Sequence, residues 1–129
     1  MGGEVGLELE ICEGEGFLRI NMSGEFPLRI PEAIDAYAQI SVVASTSGHS
    51  RFLLDVRAAN NRMSIPAIFE YITLAYPDKP NHSRTAVLEL PEHFVGARFF
   101  ENLAQSRGRI FRLFQGEDEA LAWLLSENS

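Results

Sequence analysis

A chain of 129 residues, 46% of them hydrophobic, is long and apolar enough to bury one core, which excludes an intrinsically disordered chain. A formal net charge of −7 disfavours nucleic acid and anionic membrane surfaces, which are both held through an excess of Lys and Arg. Cys12 is the single cysteine, so no intrachain disulfide can form, and no apolar run reaches the ~18 residues that a membrane span needs.

The opening Met-Gly-Gly-Glu-Val-Gly has neither the basic nor the apolar part of a secretory leader, and a cytoplasmic protein is expected. Leu7-Glu-Leu-Glu-Ile11 alternates apolar and acidic residues, which predicts a strand with one wet face. Gly14-Glu-Gly16 then turns the chain, and the alternation resumes from Phe17 to Met22. Residues 7–12 and 17–23 are thus predicted to form a hairpin, with Gly14 or Gly16 supplying a positive φ. Pro27 and Pro31 bar ladder pairing in the next stretch. Pro31 and Glu32 suit a first helical turn, and Ile34, Tyr37, Ala38, Ser41 and Ala44 continue at helical spacing to about Ser45. A polar linker covers 45–50.

Phe52 to Val56 is a short apolar run of the kind buried on both faces of a sheet. A polar loop follows, and Ser64 is placed to cap a second helix whose apolar stripe is Ile65, Ile68, Phe69, Ile72 and Tyr76. Pro77 and Pro80 end it. Residues 85–90 predict a strand. Pro91 and Glu92 open a third helix with Ala97, Phe100, Leu103 and Ala104 inward, and Gly108 is its C′ glycine. Residues 109–114 predict another strand. Glu117, Asp118 and Glu119 load the start of a last helix, which Ala120, Leu121, Leu124 and Leu125 bury. The order is ββαβαβαβα, an α/β chain read as one domain over 1–129, with the later strands mostly parallel and helices packed on the sheet in layers.

Three stretches carry a resemblance. Gly24-Glu-Phe26 leaves the second strand before a helix; Phe52-Leu-Leu-Asp-Val56 fills the middle strand; and Ala97-x-x-Phe100 through Arg107-Gly-Arg-Ile-Phe-Arg-Leu-Phe114 leads to Glu119-Ala-Leu-Ala-Trp-Leu124. In order and spacing they resemble the STAS family of anti-sigma-factor antagonists. The likeness is greatest to its small bacterial SpoIIAA-like branch, which also resembles lipid-binding Sec14-type domains in architecture. The resemblance implies a regulatory protein-interaction module, with a serine at the start of the second helix, in an Asp-Ser-Ser-Gly setting, as a phosphoswitch. The matching stretch here reads Met63-Ser-Ile-Pro66, so Ser64 alone carries over.

Ser64 is therefore read two ways, as a phosphosite facing free N–H groups at a helix start, or as a cap that only stabilises the helix. Asp55, Arg57, Arg62 and His93 would gather at the strand ends as a site for an anion or an acidic partner; the alternative is local pairing and solvation. Phe69, Tyr76, Phe94, Phe99 and Phe100 would line an apolar pocket between the second and third helices, or else simply fill the core. His49, His82 and His93 lack metal-ligand spacing, and Cys12 is read as inert. No nucleotide-binding glycine motif and no nucleophile elbow occurs, so no cofactor, no metal and no catalysis are expected. The reading is a non-enzymatic module that meets a protein partner through loop 57–63 and the second helix; the alternative is a carrier of a small apolar molecule or lipid.

Overall fold

The computed structural model describes residues 7–26, 29–60, 64–75 and 83–126. In chain order these form β1 (Leu7–Glu13), β2 (Leu18–Glu25), α1 (Ile30–Thr46), β3 (Arg51–Asn60), α2 (Ile65–Ala75), β4 (Arg84–Leu88), a 3-10 turn (Pro91–His93), α3 (Phe94–Ser106), β5 (Ile110–Phe114) and α4 (Glu117–Leu124). No helix among the described residues is long and apolar enough to cross a membrane.

One five-stranded sheet runs in the order β1-β2-β3-β4-β5, so β3 is central. β1 pairs antiparallel with β2, and every later pairing is parallel. At the hairpin the Gly14 N–H donates to the Phe17 carbonyl over 2.9 Å, and Gly16 takes the positive φ of +86° that other residues avoid. Glu8, Glu10 and Glu13 along β1 are exposed.

β3 is longer than the apolar run predicts. Its register with β2 slips between Asn21↔Asp55 and Ser23↔Ala58, then continues through Gly24↔Ala59 and Glu25↔Asn60. A β-bulge inserts one extra residue and lets the pairing resume. Residues 57–60 of the expected loop 57–63 are therefore strand, held by a partner strand distant in sequence. Residues 61–63, Arg62 among them, lie outside the described residues.

The pleat separates two faces. On one face, Leu53 of β3 with Ala86 and Leu88 of β4 meets Ala120 and Leu124 of α4. On the other, Ile20 and Phe52 meet Ile40, Val43 and Ala44 of α1, while Val87, Phe111 and Leu113 meet Ala97, Phe100 and Ala104 of α3. α2 sits between α1 and α3 and joins them through Ala33, Ile68, Tyr71 and Ile72, with Phe26, Tyr37 and Phe99 packed around. The buried line of α1 contains Ala33 and Ala36, while Ala38, one of the residues noted at helical spacing, is exposed. Two buried charged side chains stitch the layers. Glu101 of α3 accepts the Leu113 N–H at 2.8 Å, and Arg84 of β4 donates to the carbonyls of Trp123 at 2.8 Å and Ser126 at 3.0 Å past the end of α4.

Candidate functional site

The layer formed by α1, α2 and α3 does not close fully on the sheet. A cavity of about 480 Å³ lies between them. Its floor is the sheet: Ile20 and Met22 of β2, Phe52, Leu54 and Val56 of β3, Val87 of β4, and Phe111 and Leu113 of β5. Its roof includes Tyr37 and Ile40 of α1, Ile68 and Tyr71 of α2, and Ala97 and Phe100 of α3. The floor follows from sequence: alternate residues of parallel strands point the same way, and here all but Thr85 of β4 are apolar. The volume falls inside the ~300–1,000 Å³ of small-ligand sites.

Two buried aromatics shape the roof. Tyr71, 3% exposed, packs edge-on to Phe26 with ring centroids 6.0 Å apart, and against Phe100 at the same spacing. Phe100 in turn lies 5.4 Å from Phe111 of the floor. Burial pushes the Tyr71 phenol well above its usual range, with nearby Tyr37 adding to the effect, so it stays neutral. Polar groups gather at the cavity's two ends. Ser41, Ser45, His49, Ser83 and Arg109 lie at the end where the parallel strands begin, and Glu89 and His93 where β4 finishes.

The expected pocket between α2 and α3 is thus relocated. Of its five aromatics, Phe100 lines the cavity. Phe94 and Phe99 are half-buried, Phe94 packed beside Val87 and Phe111, Phe99 within the helix layer. Phe69 is 54% exposed and faces away. Tyr76 lies outside the described residues. Of the apolar stripe, Ile68 and Ile72 are buried, and Tyr71, one position before Ile72, is the ring that turns inward. An apolar stripe wide enough for three residues per turn has two edges, and composition does not say which edge meets the sheet.

The charged group predicted at the strand ends also rearranges. Asp55 accepts from Arg57 Nη2 at 2.7 Å and Nε at 2.9 Å, and from the Arg57 backbone N–H at 3.1 Å, a geometry set by the bulge. Arg19 of β2 donates to Asp55 at 2.9 Å and to Glu117 of α4 at 2.9 Å. The arginines hold both carboxyls below their ordinary range: Asp55 chiefly through the hydrogen bond from Arg57, Glu117 chiefly through that from Arg19. Two cations and two anions neutralise one another and tie α4 to β2 and β3, so Arg57 is turned into an internal network rather than toward an anion. Arg19 and Glu117 were not expected here. Arg19 sits within Leu18-Arg-Ile-Asn-Met22, where it reads as one residue of a wet face, and its partner is 98 positions away. His93 takes no part: its Nδ1 lies 3.2 Å from Glu89, at the end of the cavity. Arg62 lies outside the described residues.

Ser64 is exposed, and its Oγ accepts the Ala67 N–H over 3.2 Å while its carbonyl accepts from Ile68 over 2.9 Å. That is the cap geometry, at an open helix start. Cys12 is a free, half-buried thiol on β1. Among the described residues no group of three or more His, Cys, Asp or Glu is placed to hold a metal ion.

No protein-family model matches the sequence, and no curated protein matches it either. Solved structures do. The chain is similar to an uncharacterized protein of the DUF3478 family, with a SpoIIAA-like fold, from Shewanella loihica PV-4: 17% identity, 96% of this chain and 98% of that one, TM-score 0.58. It is also similar to an anti-sigma factor antagonist from Mycobacterium paratuberculosis: 16% identity, 93% of this chain and 95% of that one, TM-score 0.61. Both likenesses span nearly the whole of each chain and support a SpoIIAA-like fold.

Proposed function

The fold is SpoIIAA-like, and from that premise we propose that the chain is a non-enzymatic regulatory domain whose ligand is a small apolar molecule held between the sheet and the α1–α3 layer. One observation carries this reading: a cavity of about 480 Å³ with an almost wholly apolar middle, in a chain otherwise packed well enough to bury Leu53, Ile72, Ala86 and Leu88 to 1% exposure or less. Protein interiors are close-packed, and voids this large are ordinarily binding sites. Burial of an alkyl chain would contribute about 0.8 kcal/mol per methylene. The test is titration of wild type and Ala97→Phe with a fluorescent long-chain probe, cis-parinaric acid. Ala97 faces the cavity from α3, and a phenyl ring there would occupy it. Saturable one-to-one uptake by wild type, reduced at least tenfold in a folded Ala97→Phe, supports the reading; equal uptake by both proteins, or none by wild type, overturns it.

A second reading rests on a different observation. Ser64 caps α2 at an exposed start, and Phe69 and Leu74 of the same helix are 54% and 58% exposed. Large apolar side chains left in water on a helix suit a protein partner. The likeness to an anti-sigma factor antagonist supports an acceptor of that kind, docking on α2 and the adjoining end of β3. A ligand under α2 and a partner over it would be coupled through Ile68 and Tyr71, which line the cavity from that helix.

A further inference from the structure

One carboxylate stands in an otherwise apolar stretch of the cavity wall. Alternation along β4 sends Ala86 and Leu88 to α4, and Thr85 and Val87 to the cavity. Glu89 follows at the next cavity-facing position. Its N–H donates to the Phe114 carbonyl of β5 over 3.1 Å, so the pairing of the two strands carries on through it. The residue is 7% exposed and lines the end of the cavity where β4 finishes. A carboxylate taken out of water in such a place is costly unless donors meet it.

Donors meet half of it. The Leu90 N–H reaches Oε1 at 2.8 Å, and His93 Nδ1, on the turn that leads into α3, lies 3.2 Å from the same oxygen. Among the described residues no donor is placed on Oε2. Arg84 and Arg98 are turned to other partners, the end of α4 and Glu101. Gly96 and Ala97, the next cavity residues along α3, bring no side-chain donor. Holding the turn needs Oε1 alone, so Oε2 is left without a structural use. Buried polar atoms are ordinarily satisfied, and one that is not marks a place for water, an ion or a ligand. His93 also lines the cavity, and with its proton on Nδ1, toward Glu89, the ring offers Nε2 as a second acceptor.

We infer that this end of the cavity takes the polar head of the bound molecule, and that the head is a hydrogen-bond donor, a hydroxyl or a protonated amine, held by Glu89 Oε2 with His93 beside it. This rests on the cavity reading and adds to it a head group and its place. An ionised carboxylate only accepts, so a head that cannot donate gains nothing there, and an anionic head is repelled. The hydroxyl and the ammonium share the chemistry that the site recognises, an O–H or N–H turned to a buried acceptor.

Four probes with the same tail separate the cases: octanol, octylammonium, methyl octyl ether and octanoate. Each is titrated into isotopically labelled protein, and the amide NMR shifts give both the affinity and the place of the head. Wild type, Glu89→Gln, Glu89→Leu and Ala97→Phe are compared, with circular dichroism to confirm that each variant is folded. Wild type is expected to bind at least one donor, the alcohol or the ammonium, about tenfold or more tighter than the ether or octanoate, and to shift the Leu90 and His93 amides most. Glu89→Leu is expected to lower that donor to the ether's affinity without weakening the ether. Glu89→Gln keeps an acceptor of the same shape, so it should spare the alcohol more than the ammonium. Ala97→Phe should weaken every probe that wild type binds, since it fills the cavity whatever the head. Whichever donor is preferred identifies the head. Equal affinity of all four probes, a preference for octanoate, or a donor preference unchanged in both Glu89 variants overturns this inference and leaves the apolar cavity standing. Failure of all four to bind wild type overturns both.

Discussion

Asp55 is the side chain whose removal has the clearest calculable cost. Its side chain is 13% exposed, and it accepts from Arg19 at 2.9 Å, from Arg57 at 2.7 and 2.9 Å, and from the Arg57 backbone N–H at 3.1 Å. A buried charge-assisted hydrogen bond contributes about 1.5–3 kcal/mol net. Arg19 and Arg57 are 22% and 37% exposed, so solvent screens much of each, and a total of about 2–3 kcal/mol is expected for Asp55→Ala. For a chain of this length that lowers Tm by roughly 8–12 °C. Asp55→Asn keeps an acceptor for the Arg57 N–H and loses the charge, so about half the loss is expected. Acid supplies an independent check. The folded carboxyl is held below its ordinary value, chiefly by Arg57. Such a group contributes stability above its unfolded pKa of about 3.9, and that contribution is lost as pH falls through the depressed folded value. Urea midpoints of wild type and Asp55→Asn should therefore stay a constant distance apart from about pH 7 to 5 and draw together below about pH 4. A Tm loss under about 2 °C for Asp55→Ala, or a gap that holds at low pH, would refute the reasoning.

Ser64→Ala should cost about 1 kcal/mol in urea denaturation, because the Ala67 N–H loses its acceptor, and Ser64→Asp should recover it; no loss in the alanine variant would remove the cap. Glu101→Leu should cost about 1–3 kcal/mol, since it strips the partner from the buried Leu113 N–H, with Glu101→Gln less harmful; equal midpoints for wild type and both variants would contradict this. Arg84→Met should destabilise the protein by about 2–3 kcal/mol and shift Trp123 emission, because the guanidinium holds the end of α4 and lies 5.3 Å from the indole ring. Unchanged emission and midpoint would show that α4 is held otherwise. Phe69→Ser should move stability by less than about 0.5 kcal/mol and leave cis-parinaric acid uptake intact, since that ring is exposed; lost uptake would place it at the cavity after all.

The fold was legible because its signals are local. Alternation marks β1 and β2, prolines and acidic first turns mark the helix starts, and Phe52–Val56 marks the central strand. What stayed hidden depends on register and on helix rotation. The tail of β3, Arg57–Asn60, has no strand-like composition and is strand because β2 pairs with it across a bulge. Arg19 and Glu117 meet only once β2 and α4 are placed. Tyr71 and Phe69 are two positions apart on one helix and so lie on nearly opposite faces, and only the placement of α2 on the sheet decides which is core and which is wet. A void, finally, has no residue of its own: Leu54 or Val87 reads the same in sequence whether it touches a helix or faces an empty channel.

The hairpin strand β1 ends the sheet on one side, and β5 ends it on the other. Open margins are templates for further strands, and proteins guard them with charge. Glu8, Glu10 and Glu13 are exposed along one margin, while Arg112 is exposed on β5 with Arg109 just ahead of it. Two molecules approaching acidic margin to acidic margin repel, and the shortness of β5, five residues, gives an incoming strand little to grip. The repulsion is screened within about 10 Å at 0.1 M salt. Concentrated, salty solutions are therefore where this sheet is least protected from growing by one more strand, and light scattering against ionic strength would reveal it.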